Sequence, residues 1–377
     1  MWEAQIDWTK LPGKALLQVE TARSELEDKF PLDDRHSVIA AMLQTLWNGD
    51  TQVLDSPQDI DIVGHRVVHG GEEYRQPSLI TPEVKSAIAR LAEYAPIHNP
   101  VNLEGIKAIE KILGDAVPQV AVFDTAFHSQ IPAAAYVYPG PYEWLQRGIR
   151  RYGFHGISHQ YCAQRAAEIL HRPLESLRLI TCHLGNGCSL AAVCNGYSID
   201  TTMGFTPLEG LMMGSRSGSV DPGILIHLLR SQDIDAQKLD KILNSQSGLK
   251  GISGVSGDMR HIQEAINQGN ERAQLAFDMF VHSLQKHIGA MLASLGGLDG
   301  LVFTGGIGEN AAMVRQQACA AFGFLGLELD LEKNAISPRD ADIATADSSV
   351  RVAIVRTQED WAIAQQCWRL AHNHALG

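Results

Sequence analysis

Residues 301–310 read Leu301-Val302-Phe303-Thr304-Gly305-Gly306-Ile307-Gly308-Glu309-Asn310. A short apolar, β-rich run gives way to glycines, and the glycines open directly into a helical segment. A strand that passes through glycines into a helix is the joint from which α/β folds are built. The free N–H groups of the helix start favour an anion, and small residues let a nucleotide approach the backbone closely. The stretch follows neither the G-x-x-x-x-G-K-[ST] nor the G-x-G-x-x-G spacing, so it is weak as an isolated motif.

The same alternation extends outward on both sides. Asn270 to Leu295 has the periodicity of a long amphipathic helix, and Val350 to Val355 reads as a strand leading into a helix from Glu359 to Ala371. Upstream, Leu179 to Leu184, Gln119 to Phe123 and Ile60 to Val68 are strand-like, as is the weaker Gln5 to Trp8. Asp34 to Trp47 reads as helix. Thr81-Pro82-Glu83 supplies an N-cap, a proline at the first helical position and an acid in the first turn of a helix running to Tyr94. Several of these strands end directly in Gly, His, Arg, Asp or Asn, and in open α/β sheets ligands collect at the carboxyl ends of strands.

Length and composition narrow the function classes. A chain of 377 residues is long enough for two domains. With 45% hydrophobic and 20% charged residues it is an ordinary globular composition, and no run of 18 apolar residues predicts a membrane span. The start, Met-Trp-Glu-Ala-Gln-Ile-Asp-Trp, lacks the basic and apolar regions of a signal peptide, so a cytoplasmic location is expected. Six cysteines without a C-x-x-C pair read as reduced core thiols. A net charge of −12 argues against nucleic acid as partner. It also requires that any anionic ligand meet a local concentration of arginine and histidine.

Five sets of residues carry chemistry, the two arginines forming one set. Cys182-His183-Leu184-Gly185-Asn186-Gly187-Cys188-Ser189 runs from a strand into Gly-Asn-Gly and on to a second apolar run, Leu190 to Val193. That pattern suits a tight hairpin with positive φ angles, and equally a glycine turn whose N–H groups meet phosphate oxygens. The Leu301–Asn310 stretch is the second. Arg66, at the end of a strand, and Arg216, in the polar loop Gly214-Ser215-Arg216-Ser217-Gly218, are guanidinium groups able to grip carboxylate or phosphate through two parallel hydrogen bonds. A surface ion pair is the commoner duty of any single arginine. His155 lies between glycines and an aromatic in Arg151-Tyr152-Gly153-Phe154-His155-Gly156-Ile157-Ser158-His159. Asp124 ends an apolar strand, where a carboxylate is not expected for packing.

Taken in order, HRVVHGG, PIHNPVN, VFDTAFH, RYGFHGISH, HLGNGCS, DTTMGFTPLEGLMMGSRSG, SGVSGD, FTGGIGEN and RTQED resemble the acetate kinase family from about Asp61 to the C-terminus. The resemblance implies two ribonuclease-H-like domains of the sugar kinase, heat-shock ATPase and actin superfamily. It divides the chain into an acyl-side domain of residues 1–125 plus 358–377 and a nucleotide-binding domain of residues 126–357. It implies reversible phosphoryl transfer from ATP to acetate, giving acetyl phosphate and ADP, with Mg²⁺ (or Mn²⁺) and a homodimeric state. Carried onto matching positions, Arg66 and Arg216 bind the carboxylate and the phosphoryl group, and His155 holds that group with Arg216. Asp124 orients or neutralises at the acyl end as the family's catalytic acid. Glu359 helps place the metal. The nucleotide is implied to lie against His183, Leu184, Gly185, Asn186 and Gly187, against Asp258, Met259 and Arg260, and against Gly306, Ile307, Gly308, Glu309 and Asn310. Val68, Ile97, Phe154 and Pro207 match the small apolar pocket for the acetate methyl.

Two departures from the family pattern stand out. Gly257-Asp258-Met259-Arg260 replaces the commoner Ser-Asp-Phe-Arg, and a flexible methionine should preserve packing against the base. The family also opens with a strand and Asn-Ala-Gly-Ser-Ser-Ser, which contributes phosphate and magnesium contacts, and this sequence begins beyond that hairpin. The N-terminal domain is thus expected to be truncated, through either a start that lies upstream or a product with an impaired site. Two rival functions remain: a propionate or butyrate kinase, and a non-catalytic nucleotide-binding relic.

Overall fold

The computed structural model describes residues 1–32, 35–231 and 234–374. They form two compact units, one of residues 1–68, 77–122 and 363–377, the other of residues 69–76 and 123–362.

The first unit opens with an antiparallel meander of β1 (Trp2–Leu11), β2 (Lys14–Thr21) and β3 (Glu25–Pro31), in which Trp2 faces Thr21 and Lys14 faces Pro31. Only the middle strand is apolar: Ala15, Leu17 and Val19 alternate along one buried face. β3, Glu-Leu-Glu-Asp-Lys-Phe-Pro, has almost no apolar signal, so its strand character comes from pairing with β2. Residues 5–8, expected as a strand, fall in β1, whereas β2 and β3 carry no expectation from the sequence. A second sheet has the order β4 (Val63–Val67), β6 (Gln119–Phe123), β5 (Ser78–Leu79), with β6 buried along its whole length. Thr81 caps the helix Pro82–Arg90 by accepting from the Val84 N–H, and a 3-10 turn, Leu91–Glu93, completes the expected span. The helix Arg35–Gln44 ends in tight turns short of Trp47, and the expected start at Asp34 lies outside the described residues.

The second unit is built on a six-stranded sheet of order β11-β12-β10-β7-β8-β9. Its strands are β7 (Arg178–Leu184), β8 (Cys188–Cys194), β9 (Tyr197–Thr201), β10 (Gly300–Thr304), β11 (Ala341–Asp342) and β12 (Arg351–Ile354). β7, β10 and β12 are mutually parallel, whereas β7, β8 and β9 form an antiparallel meander. β10 is buried at every position, as a central strand covered on both faces must be. Leu177, Leu179, Val193, Val302 and Val355 pack with Ala163 and Ala166 of the helix Gly156–Ile169. The helix Glu271–Leu295, capped by Asn270 and closed by left-handed Gly296, also packs on this sheet.

The Gly185-Asn186-Gly187 turn does join β7 to β8, but none of the three residues has a φ in the left-handed range. The expectation of positive φ angles is therefore corrected; of the two glycines, only Gly187 is in a tight place, where a Cβ would lie 3.3 Å from its nearest neighbours. All six cysteines are free thiols, five of them buried, and burial pushes those of Cys162, Cys188 and Cys319 up to about 12. The five buried ones are neutral packing groups.

Candidate active site

Three parallel strands deliver the site. Thr304 of β10 lies opposite His183 of β7, and Phe303 lies opposite Cys182 on one side and Ile354 on the other. The segments after residues 184, 304 and 354 consequently emerge along one edge of the sheet, the edge where open α/β sheets bind ligands.

A cavity of about 1200 Å³ opens there, lined by Gly185 and Asn186, by Asp258, Met259 and Arg260, and by Gly306, Ile307 and Asn310. Eight of the residues expected to hold a nucleotide thus share one concave space of ligand size. Lys250, Phe277 and Met313 line it too and carried no signal in the sequence. Asp258 caps the helix Met259–Asn267 by accepting from the Arg260 N–H, and pairs with the Arg260 guanidinium at 2.6 Å. The hydrogen bond from that guanidinium holds the Asp258 carboxyl down at about 2. Leu184 and Gly308, by contrast, are buried at strand and helix ends. Glu309 turns its carboxylate inward: one oxygen accepts from the N–H of Gly305 at 3.0 Å and of Thr357 at 3.1 Å. It ties the glycine turn to the segment that leads to Glu359.

Beside the cavity a second group of residues converges. His155 sits in the left-handed region at φ 56° and ψ 23°, at the start of the helix Gly156–Ile169. The Gly156 N–H donates to the Asp124 carbonyl at 2.9 Å, and a Cβ on Gly156 would lie 2.3 Å from that oxygen, so no other residue fits. His155 Nδ1 is 2.8 Å from Ser189 Oγ, and its ring stacks on His183 with centroids 4.3 Å apart. Arg216 donates to the Pro207 carbonyl at 3.2 Å, and burial lowers its pKa from the ordinary guanidinium value. A Cβ on Gly187 would stand 3.3 Å from Arg216 Nη1 and 3.4 Å from His155 Nε2. The guanidinium and the imidazole edge therefore both approach Gly187, where a side chain would crowd them.

The carbonyl that holds Arg216 is itself anchored. Arg151 donates to the carbonyls of Thr202 at 3.2 Å and Met203 at 2.9 Å and pairs with Glu209 at 2.7 Å. The Tyr138 hydroxyl donates to the other Glu209 oxygen and accepts from the Phe205 N–H. Burial above all, then the Glu209 charge, keeps that phenol protonated. In this unit Phe154 and Asp124 are buried and Pro207 is half-buried. Arg66 is exposed, Val68 half-buried and Ile97 well exposed, all three in the first unit. Glu359 is half-buried in the first turn of the helix Glu359–His374.

Several rings in the second unit are neutral by burial. His69 and His128 are lowered to about 4, and His159 is pushed well below the ordinary 6.5. The unfolded chain takes up these protons near 6.5, whereas folded His69 and His128 do so only near 4 and His159 well below 6.5, so the unfolded state binds more protons across that window. Stability is full above it and is lost as pH falls from about 6.5 toward 4. The midpoint of thermal unfolding should be lower at pH 5 than at pH 7, and the dependence should flatten in His128→Gln. Equal slopes in the variant and the parent would contradict the assignment.

Comparison with known proteins adds the following. A sequence profile of the acetokinase family matches residues 1–365. The acetate kinase of Gloeobacter violaceus is 64% identical over 369 residues, covering 98% of this chain and 91% of that protein. The acetate kinase of Nostoc punctiforme is also 64% identical, over 99% of this chain and 92% of its own length. Among solved structures, the acetate kinase of Porphyromonas gingivalis superposes with a TM-score of 0.91 at 40% identity, covering 98% of this chain and 93% of that one. A propionate kinase from Francisella tularensis superposes with a TM-score of 0.88 at 36% identity, covering 95% and 90%.

Proposed function

The chain belongs to the acetokinase family, with the fold of the sugar kinase, heat-shock ATPase and actin superfamily, and we propose that it transfers the γ-phosphoryl group of ATP to acetate. It is a phosphotransferase with a carboxyl group as acceptor. The observation that carries the reading is the convergence of Arg216 Nη1 and His155 Nε2 on Gly187, next to the glycine-lined cavity.

A carboxylate needs no base to become a nucleophile. An acetate oxygen attacks the γ-phosphorus in line, the bond from phosphorus to the bridging oxygen of ADP breaks, and acetyl phosphate leaves. What such a reaction needs is positioning and spread positive charge rather than covalent chemistry. Arg216 and His155 supply donors for the equatorial oxygens, and Arg66 serves the carboxylate. Val68, Ile97, Phe154 and Pro207 serve the methyl group. Asp124 acts by orienting charge at the acyl end, since no proton has to be removed there.

Mg²⁺ dehydrates reluctantly and is usually held by one or two carboxylates together with substrate phosphates. Among the described residues no group of three or more His, Cys, Asp or Glu could hold an ion by itself. Glu359, on a segment fixed through Thr357 and Glu309, fits the single-carboxylate requirement, and Mn²⁺ suits the same oxygen donors. When bound with the nucleotide, the ion supplies charge to the phosphate oxygens.

Hydroxamate formation from ATP, Mg²⁺ and hydroxylamine, measured with acetate, propionate and butyrate, tests the reading. Highest kcat/KM on acetate is expected. A preference for propionate would move the assignment to the longer acid, and nucleotide binding without hydroxamate would make the chain a relic.

A homodimer and a cytoplasmic location complete the proposal. The helix Pro222–Arg230 buries no residue, and Ile224, Ile226 and Leu229 are 50%, 49% and 43% exposed. A short apolar helix has little stability without a covering surface, and a second copy would supply it. Light scattering should return a dimer, with Ile226→Lys shifting it to monomer; a monomeric parent chain would end the idea. For the location, six free thiols suit a reducing compartment, and no helix among the described residues is long and apolar enough to cross a membrane.

A further inference from the structure

A hydrogen-bonded chain runs behind His155. Its Nδ1 lies 2.8 Å from Ser189 Oγ; the same Oγ lies 2.8 Å from His159 Nε2; and His159 Nδ1 lies 2.7 Å from Thr181 Oγ1. Thr181 Oγ1 in turn reaches the Ala191 carbonyl at 3.5 Å. Ser189, His159 and Thr181 are all fully buried, so these groups answer to one another and not to solvent. On its other side, His155 stacks on His183, whose Nδ1 is fixed by Ser158 Oγ at 2.8 Å.

We infer that Ser189 and His159 are positioning residues that hold His155 as an imidazolium for the transferring phosphoryl group. The inference rests on the phosphoryl-transfer reading above.

The hydrogens decide it. A charged imidazole carries hydrogens on both nitrogens, so its Nδ1–H needs an acceptor. Ser189 Oγ can accept it only if the serine hydrogen points elsewhere, and the other polar neighbour given by the chain is His159 Nε2. That nitrogen must then be a lone pair, which places the His159 hydrogen on Nδ1, where Thr181 Oγ1 accepts it. The threonine hydrogen goes to the Ala191 carbonyl. Every hydrogen has a place, provided His159 is neutral, and burial disfavours its charged form. With Nδ1–H given to Ser189, only the charged ring also carries a hydrogen on the opposite edge. There Nε2 approaches Gly187, as Arg216 does, and can donate toward phosphoryl oxygens; a neutral Nδ1–H ring would present a lone pair there. In the reverse direction Ser189 would donate to Nδ1, and His155 could be only neutral.

The chain also has a reason in the sequence. His155, Ser158 and His159 fall at i, i+3 and i+4, so the start of one helix presents all three toward the β7–β8 hairpin that brings His183 and Ser189. A serine hydroxyl is suited to the junction because it can accept and donate at once.

The full-length protein tests this with two readouts. In ¹⁵N-edited NMR with Mg·ATP bound, His155 should show both ring nitrogens protonated, with a slowly exchanging Nδ1–H that disappears in Ser189→Ala. Kinetically, Ser189→Ala should lower kcat by about tenfold or more, the usual scale for an outer partner that orients a site group. KM for ATP and acetate should stay within about twofold, because neither binding surface is touched. Ser189→Ala in a His155→Ala background should cost nothing further. If His155→Ala itself keeps full kcat, the phosphoryl-transfer role of His155 fails. If His155→Ala is impaired while Ser189→Ala is not, or if His155 proves to be neutral in either tautomer, that role survives and the inference is overturned.

Discussion

Arg216→Ala should lower kcat by about 10²–10³-fold, the scale for removing one preorganised donor from a developing charge, while nucleotide binding is largely retained. The two effects separate because Arg216 does not line the cavity that holds Gly185, Asp258 and Gly306. Its guanidinium is aimed by the Pro207 carbonyl, which sits in a segment tied by Arg151, Glu209 and Tyr138, and it approaches Gly187 as His155 does. Such a donor costs no reorganisation when charge spreads onto the phosphoryl oxygens. Lysine at this position keeps the charge and loses the planar fork, so Arg216→Lys should recover only part of the rate. Steady-state kinetics beside a nucleotide titration would check this. A kcat within tenfold of the parent, or a parallel loss of nucleotide affinity, would show that the residue does something else.

The largest effect on stability is expected at a residue outside the chemistry. Arg315 is fully buried without a carboxylate partner, and burial lowers its guanidinium to about 10. All five of its N–H groups are used: on Asn334 Oδ1, on the carbonyls of Gly308, Glu309 and Asn334, and on Ser337 Oγ, at 2.8–3.0 Å. It holds the end of the short helix Gly305–Asn310, which presents Gly306, Ile307 and Asn310 to the cavity. Arg315→Met would strand several buried acceptors, each worth about 1–3 kcal/mol when left unpaired. A loss of at least about 3 kcal/mol follows, or roughly 6–12 °C in the unfolding midpoint for a unit of this size. KM for ATP should rise with it, as the helix loosens, more than KM for acetate. An unchanged midpoint would mean that the helix is held by something other than this fork.

The sequence alone was sufficient for a strand buried on both faces such as Gln119–Phe123 and for the helices after Thr81 and Asn270. Gln119–Phe123 and the helix after Asn270 begin and end where their residues say they should, because continuous burial and an N-cap are local signals. The ordered motifs also placed Gly185, Asn186, Asp258, Met259, Arg260, Gly306, Ile307 and Asn310, which line one cavity. β3 was illegible, since a charged strand exists only by virtue of its neighbour. The turn at Gly185–Gly187 was legible as a hairpin, and the reason given for its glycines was the wrong one.

What the tertiary structure decided is which side chains meet and which way they face. Ser189, His159 and Arg315 are unremarkable as letters, and they acquire duties only when β7, β8 and the helix Gly156–Ile169 bring their polar atoms within 3 Å of one another or of a helix end. Glu309 reads as a ligand contact, and packing also makes it a brace between Gly305 and Thr357. Periodicity, caps and glycine turns are set by residues a few positions apart and so are written in the chain. Hydrogen-bond partnership and the room left over Gly187 depend on atoms far apart in sequence, and only packing brings those together.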